Sequence, residues 1–363
     1  MSIQISAVVG ARPNFMKIGP ILAEAGRRPR FRLRLIHTGQ HYSSDMSDSF
    51  FQELSIPSPD INLGVGGGSH TAQTAAIMQR LEPELTENRP DLLLVVGDVN
   101  STMAAALVAA KAGIPVAHIE AGLRSFDRSM PEEINRLVTD ALSDYLFASE
   151  PSGVTNLLAE GVPAGKIFLV GNVMIDTLLR FRDRAAQTRV WESFGLEPRS
   201  YAVVTLHRPS NVDDAAKLAS LLEVLAEIAR KLPVVFPVHP RTRQRMESIN
   251  FPRSGILLVP PMGYLDFLGL MGEARLILTD SGGIQEETTL LRVPCLTMRR
   301  NTERPITIEK GTNRLVGDDP GTILRAALET LQQPLPAADA GPELWDGNAS
   351  VRILDVIDEK FPG

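Results

Sequence analysis

Short runs rich in β-branched and aliphatic residues alternate along this chain with longer segments whose apolar positions recur at helical spacing. In the first half, the runs 3–9, 32–37, 92–96, 116–119, 145–148 and 167–170 predict strands. The segments 15–26, 47–54, 71–87, 101–112, 132–142 and 152–160 predict the helices between them. Strands separated by helices imply parallel βαβ units and a doubly wound sheet. A charged, helix-prone stretch follows at 180–197, and then the rhythm restarts. Strands are predicted at 201–205, 234–237, 256–259, 276–279 and 295–298, and helices at 213–231, 241–249, 264–271, 283–291 and 320–331. Residues 334–345 read as a loop and 348–361 as a closing amphipathic helix. The pattern predicts an α/β chain of two doubly wound domains, 1–175 and 195–345, joined through the 175–200 connection and facing a central cleft.

Composition narrows the classes of function. At 363 residues the chain suits two domains better than one, and 44% hydrophobic with 22% charged residues is ordinary for a globular protein. The net charge of −6 and the lack of a basic block argue against nucleic acid as the main partner. The single cysteine, Cys295, excludes an intrachain disulfide and reads as a small buried hydrophobe. The six histidines lack metal-binding spacing, so neither a metal nor a cofactor is expected. The chain starts without a signal-like segment and contains no apolar run near the ~20 residues of a membrane span, so a cytoplasmic location off the membrane is expected.

In open α/β sheets ligands bind beyond the carboxyl ends of the strands, so the residues there carry the functional reading. The first strand ends in GARPNFMK, which puts Arg12 and Lys17 around a helix start but lacks the glycine fingerprint of a dinucleotide site. GDVNST and HIEAGLRS end two further strands with Asp98 and Glu120. If these strands are neighbours, the two carboxylates share a rim. His118 and Glu120, two apart, share a strand face, although a lone histidine there also fits a satisfied core position. Asp98 also suits a helix cap. MPEEINR opens a helix with Glu132, which pairs with Arg136 at i,i+4 spacing.

In the second half, strands end in His207 and His239. LTDSGGIQEE then places Ser281 as a helix cap, Gly282 and Gly283 where a phosphate can approach the backbone, and Glu287 one turn in. Arg304 follows in NTERP. The second half thus offers contacts for phosphate and ribose, and the first a ring of acids with two cations.

Taken together, GARPNFMKIGP, GDVNST, HIEAGLRS, MPEEINR, TLHRPSN, LTDSGGIQEE and NTERPITIEKGTNRLVG resemble the non-hydrolysing UDP-N-acetylglucosamine 2-epimerases, in the same order from about residue 6 to 318. The resemblance implies the GT-B architecture, with the last helix, 348–363, returning to the first domain, and a homodimer. It implies reversible conversion of UDP-N-acetylglucosamine to UDP-N-acetylmannosamine, through elimination of UDP to 2-acetamidoglucal and re-addition, in cell-envelope polysaccharide biosynthesis. On matching positions, Asp98, Glu120 and Glu132 are the implied acid/base carboxylates with Arg136 in support. Arg12 and Lys17 contact the diphosphate or sugar. His207, Ser281, Gly282, Gly283 and Arg304 bind the diphosphate, with His207 also a catalytic candidate. Glu287 binds the ribose, and Met262 and Phe267 lie near the uracil. Gln40, His41 and His239 are candidate allosteric positions, although Ser43 stands where a second glutamine is common and no arginine lies near His70. Epimerases of UDP-2,3-diacetamido-2,3-dideoxyglucuronic acid share the scaffold, as do hydrolysing relatives. A GT-B glycosyltransferase with a UDP-sugar donor is the alternative of a different class. A silent sugar-nucleotide sensor fits less well with the full carboxylate set, and an NAD-dependent epimerase lacks its glycine fingerprint.

Overall fold

The computed structural model describes residues 2–39, 51–337 and 341–362, without the side chains of residues 209, 210 and 241. The chain divides into two units, Met1–Thr177 with Glu343–Gly363, and Leu178–Pro342. Each is built on one parallel sheet, the α/β arrangement of the GT-B class.

The first unit holds strands β1 (Ile3–Val9), β2 (Phe31–His37), β3 (Ile61–Asn62), β4 (Leu92–Val96), β5 (Val116–Ile119), β6 (Tyr145–Ala148) and β7 (Ile167–Leu169). Their spatial order is β3-β2-β1-β4-β5-β6-β7, with every pairing parallel. This is the Rossmann order, in which the direction of winding reverses between β1 and β4. All five residues of β4 are buried, as expected of a central strand covered on both faces. The helix Ala349–Lys360 belongs to this unit, where it packs on the helix Arg12–Ala25. Asp176 holds its start by accepting the N–H groups of Ala349 (3.1 Å) and Ser350 (2.7 Å). Trp345, just before it, is buried and donates its indole N–H to the Ser149 carbonyl at 3.0 Å.

The second unit repeats the plan with β8 (Ala202–Thr205), β9 (Val234–Pro237), β10 (Ile256–Val259), β11 (Leu276–Thr279), β12 (Cys295–Thr297) and β13 (Asn313–Leu315). Their order is β10-β9-β8-β11-β12-β13, so the winding reverses between β8 and β11. Its core is the buried aliphatic face of the helix Ala215–Ala229, including Leu218, Leu222 and Leu225, against Val204, Phe236 and Leu278 of the sheet. Cys295 is buried in β12, and burial pushes its thiol up to about 11, so it is inert packing.

Two short edge strands, β3 and β13, are not predicted by the apolar pattern. The stretch 180–197 also differs from expectation. Its helix begins earlier, as Val173–Thr188, and Val190–Phe194 forms a separate 3-10 turn after Arg189, which adopts a left-handed conformation (φ 44°). The predicted helix 47–54 begins outside the described residues, and 51–53 are helical. Among the described residues no helix is long and apolar enough to cross a membrane.

Candidate active site

In the first unit, the candidate residues stand at three strand ends. Beyond β1, Asn14 accepts the N–H groups of Gly10 (3.1 Å) and Ala11 (2.9 Å) and donates to the Val96 carbonyl at 3.0 Å, tying this turn to the end of β4. The turn passes so close to the helix Asn100–Lys111 that a Cβ on Gly10 would fall 2.0 Å from Ser101 Oγ. Arg12 is exposed at the helix start, whereas Lys17, one turn further, is buried and forms an ion pair with Glu120.

β4 and β5 are hydrogen-bonded neighbours, so Asp98 and Glu120 leave the sheet side by side. Asp98 does not cap the following helix, whose cap position is Val99. Instead its carboxylate accepts from Arg136 Nη1 at 2.5 Å, and its carbonyl accepts from Asn135 at 2.8 Å. Glu120 is buried and has φ of 71°, a left-handed conformation that is strained for a residue with a side chain. Strand alternation therefore stops at Ile119 and does not extend from His118 to Glu120. The Phe147 carbonyl stabilises the turn by accepting the N–H groups of both Glu120 and Ala121 at 3.0 Å. Gly97, at φ 70°, leaves room for the charged pair, since a Cβ there would lie 3.1 Å from Lys17 Nζ and 4.0 Å from Glu120 Oε2.

The predicted Glu132–Arg136 pair is replaced by another. Buried Arg136 binds the neighbouring Glu133 at 2.6 Å, together with Asp98. Glu133 also accepts the N–H groups of Ser125 and Phe126, both at 3.0 Å. Burial alone would raise its carboxyl, but Ser125, Arg136 and Phe126 hold it below the ordinary range. Glu132 is half-buried in the first turn of the helix Pro131–Leu142. Beneath these groups lies a network that sequence reading did not resolve. His118 lies between Asp140 (2.6 Å) and the Gly97 carbonyl (2.8 Å), and Asp140 also meets Arg124 at 2.7 Å.

In the second unit, His207 follows β8, and Asp280 and Ser281 follow β11, on either side of the winding reversal. Asp280 is fully buried and organises the turn after β8. It accepts from the backbone N–H of His207 (3.1 Å) and Arg208 (3.0 Å), from Asn211 (3.1 Å) and from His207 Nδ1 (2.8 Å). Burial opposes ionisation of Asp280, yet His207, Arg208 and Asn211 hold its carboxyl below the ordinary range. The exposed His207 ring is held at Nδ1 by Asp280.

Ser281 occupies the cap position of the helix Gly282–Leu291, but its side chain makes no capping hydrogen bond, so the first N–H groups are left for an anion. The two glycines play different parts. A Cβ on Gly282 would lie 2.6 Å from Arg304 Nη1 and 2.8 Å from Glu303 Oε1, whereas one on Gly283 would meet nothing within 4 Å. Arg304 is buried and paired with Glu286 at 2.7 Å and with Glu303, and Glu303 in turn binds Arg299 at 2.7 Å. Glu287 is buried, and burial pushes its carboxyl up to about 8, with Tyr264 lowering it and Glu286 raising it further. Met262 and Phe267 are half-buried at and after the loop that follows β10, and His239 is exposed after β9. Gln40 and His41 lie outside the described residues.

Of the residues that sequence reading missed, Asn14, Glu133 and Asp280 sit inside the motifs it singled out, next to the residues it chose. Asp140 carried no local signal, since only the fold brings it to His118.

A family model described as UDP-N-acetylglucosamine 2-epimerase matches residues 23–358. The chain is 43% identical to the UDP-N-acetylglucosamine 2-epimerase of Methanocaldococcus jannaschii over 333 residues, covering 89% of this chain and 91% of that one. It is 39% identical to the UDP-2,3-diacetamido-2,3-dideoxy-D-glucuronate 2-epimerase of Pseudomonas aeruginosa, covering 98% and 99%. A crystal structure of the Methanocaldococcus jannaschii enzyme in complex with UDP-GlcNAc and UDP superposes with a TM-score of 0.88 at 42% identity, covering 98% of this chain and 100% of that one. The chain therefore belongs to the UDP-N-acetylglucosamine 2-epimerase family.

Proposed function

We propose that this chain is an isomerase that interconverts UDP-N-acetylglucosamine and UDP-N-acetylmannosamine by inverting C2. The observation that carries the reading is the pair of carboxylates leaving adjacent strands, Asp98 held by Arg136 and Glu120 held by Lys17 in a left-handed turn. The hydrogen at C2 is not next to a carbonyl, so no ordinary base removes it unaided. As the C1–O bond to UDP breaks, oxocarbenium character at C1 acidifies C2, and a carboxylate takes the proton. The C–H electron pair becomes the C1=C2 bond of 2-acetamidoglucal, and the C1–O pair leaves on UDP. Re-addition of UDP at C1, with protonation of C2 on the opposite face, completes the inversion. Acid/base groups on both faces are needed, and we assign Asp98, Glu120 and Glu132 to that work.

In the second unit we assign His207, Ser281, Gly282 and Gly283 to the diphosphate, where N–H groups at the helix start and an imidazole stabilise charge as it develops. Arg304 serves the same group from behind Gly282, with Arg12 and Lys17 contacting the substrate from the first unit. Glu287 is assigned to the ribose, and Met262 and Phe267 to the uracil. The working form is a cytoplasmic homodimer, and a light-scattering mass of twice the chain tests its stoichiometry. The Pseudomonas aeruginosa relative supports a second reading, the same inversion on UDP-2,3-diacetamido-2,3-dideoxyglucuronate. Incubation with each UDP-sugar and no acceptor, followed by NMR of the product, decides among them. The proposal expects UDP-N-acetylmannosamine from UDP-N-acetylglucosamine. An absolute need for an acceptor, or epimer from the diacetamido sugar alone, overturns it.

A further inference from the structure

The His118 ring lies inside the first unit with no exposure to solvent, and both of its nitrogens face acceptors. Nδ1 is 2.6 Å from Asp140 Oδ1, and Nε2 is 2.8 Å from the Gly97 carbonyl oxygen. A carbonyl only accepts, and so does an ionised carboxylate. Asp140 is kept ionised by its other oxygen, which receives Arg124 at 2.7 Å and the Gly122 N–H at 3.1 Å. Each ring nitrogen is therefore placed to donate.

Its partners matter because of the positions they occupy. The Gly97 carbonyl belongs to the peptide that leads into Asp98, in a turn that requires a left-handed glycine (φ 70°). Gly122, likewise left-handed at φ 81°, closes the turn begun by the strained Glu120. One buried ring thus joins, directly at Gly97 and through the Asp140 carboxylate at Gly122, the two turns that carry the proposed acid/base pair. The other charges around it are already engaged: Arg124 with Glu160 at 2.7 Å, Lys17 with Glu120, and Arg136 with Asp98 and Glu133. None of them reaches the Gly97 carbonyl by a hydrogen bond among the described residues, so nothing replaces His118 there.

We propose that His118, held as an imidazolium by Asp140, is a positioning residue that sets the separation and orientation of Asp98 and Glu120. This rests on the epimerase reading, because it takes those two carboxylates as the groups that act on the substrate.

The test uses the full-length protein in two arms. In the first, histidine ring nitrogens are labelled with ¹⁵N, and the His118 signals are identified as those missing from His118→Asn. At a pH near 8, where an exposed imidazole is neutral, both His118 nitrogens are expected to carry protons. A ring with one unprotonated nitrogen overturns the proposal. In the second arm, His118→Asn is assayed on UDP-N-acetylglucosamine. The asparagine amide can still donate to Asp140 but is too short for Gly97, so kcat is expected to fall roughly 10- to 100-fold with KM little changed. Unchanged kcat, or a loss confined to KM, overturns the proposal. If His118→Asn does not fold, Asp140→Asn carries the same kinetic expectation with the ring intact. Wild-type protein that turns over no UDP-sugar would refute the epimerase reading instead, and the ¹⁵N arm would still decide the state of His118.

Discussion

Glu287 and Glu120 are both buried acids, but they follow opposite electrostatic logic. Glu120 has a cation, Lys17, in contact, whereas burial, reinforced by Glu286 and opposed by Tyr264, raises the Glu287 carboxyl from 4.5 to about 8. Between those two values the unfolded chain gives up a proton that the folded chain keeps, so stability falls as pH rises through the window. Glu287→Gln removes that dependence. The variant is expected to match wild type near pH 4.5 and to gain in Tm relative to it as pH approaches 8. A gap that does not change with pH would contradict the assignment. For the proposed acid/base pair, Glu120→Gln and Asp98→Asn are expected to abolish turnover while calorimetry still detects UDP binding. Wild-type rates in both would remove them from the mechanism.

Residue spacing made Asp98 and Glu120 legible because Glu120 directly follows an apolar strand and Asp98 lies one glycine beyond another. It misled at Arg136, where i,i+4 spacing pointed to Glu132. The structure uses Glu133, because the loop before the helix brings the N–H groups of Ser125 and Phe126 to that carboxylate, and no local pattern encodes such a contact.

Among the elements, strands with an apolar run were readable, and the candidate site residues were picked out because they sit near where those strands stop. The edge strands Ile61–Asn62 and Asn313–Leu315 were not, since neither carries an apolar run like those that mark the similarly short β7 and β12, and their identity comes from pairing with β2 and β12. The helix Gly282–Leu291 shows how an element and a site share one constraint. Its first residue must lack a side chain to admit Arg304 and Glu303, and its second faces open space. Gly282→Ala is expected to displace Arg304 and weaken UDP binding by about tenfold or more, since a Cβ would meet the guanidinium at 2.6 Å. Gly283→Ala is expected to leave the fold intact and to weaken UDP binding through its effect on ligand approach alone. Thermal melts with and without UDP separate the two, and equal UDP affinity in both variants and wild type would contradict the phosphate assignment.

For the whole molecule, the repeated strand order with winding reversals at β1/β4 and β8/β11 explains why the chemistry-bearing motifs recur at the same relative places in both halves. The alternation of strand and helix predicted that plan. The place of the chain's end in the first unit is not encoded in any period. It depends on the Trp345 indole meeting Ser149 and on Asp176 meeting the start of the last helix. Trp345→Ala is expected to destabilise the first unit by about 3–5 kcal/mol, measured by chemical denaturation. A loss under about 1 kcal/mol would mean that this segment does not anchor the unit.

The central claim is that a carboxylate removes the proton at C2 and that solvent-derived hydrogen returns there. Incubating the protein with UDP-N-acetylglucosamine in heavy water and following C2 by NMR tests it most directly. The account predicts UDP-N-acetylmannosamine carrying deuterium at C2, with the same label entering recovered UDP-N-acetylglucosamine. Epimer formed with the original hydrogen retained, or no exchange at C2 while UDP-N-acetylglucosamine is bound, would contradict it.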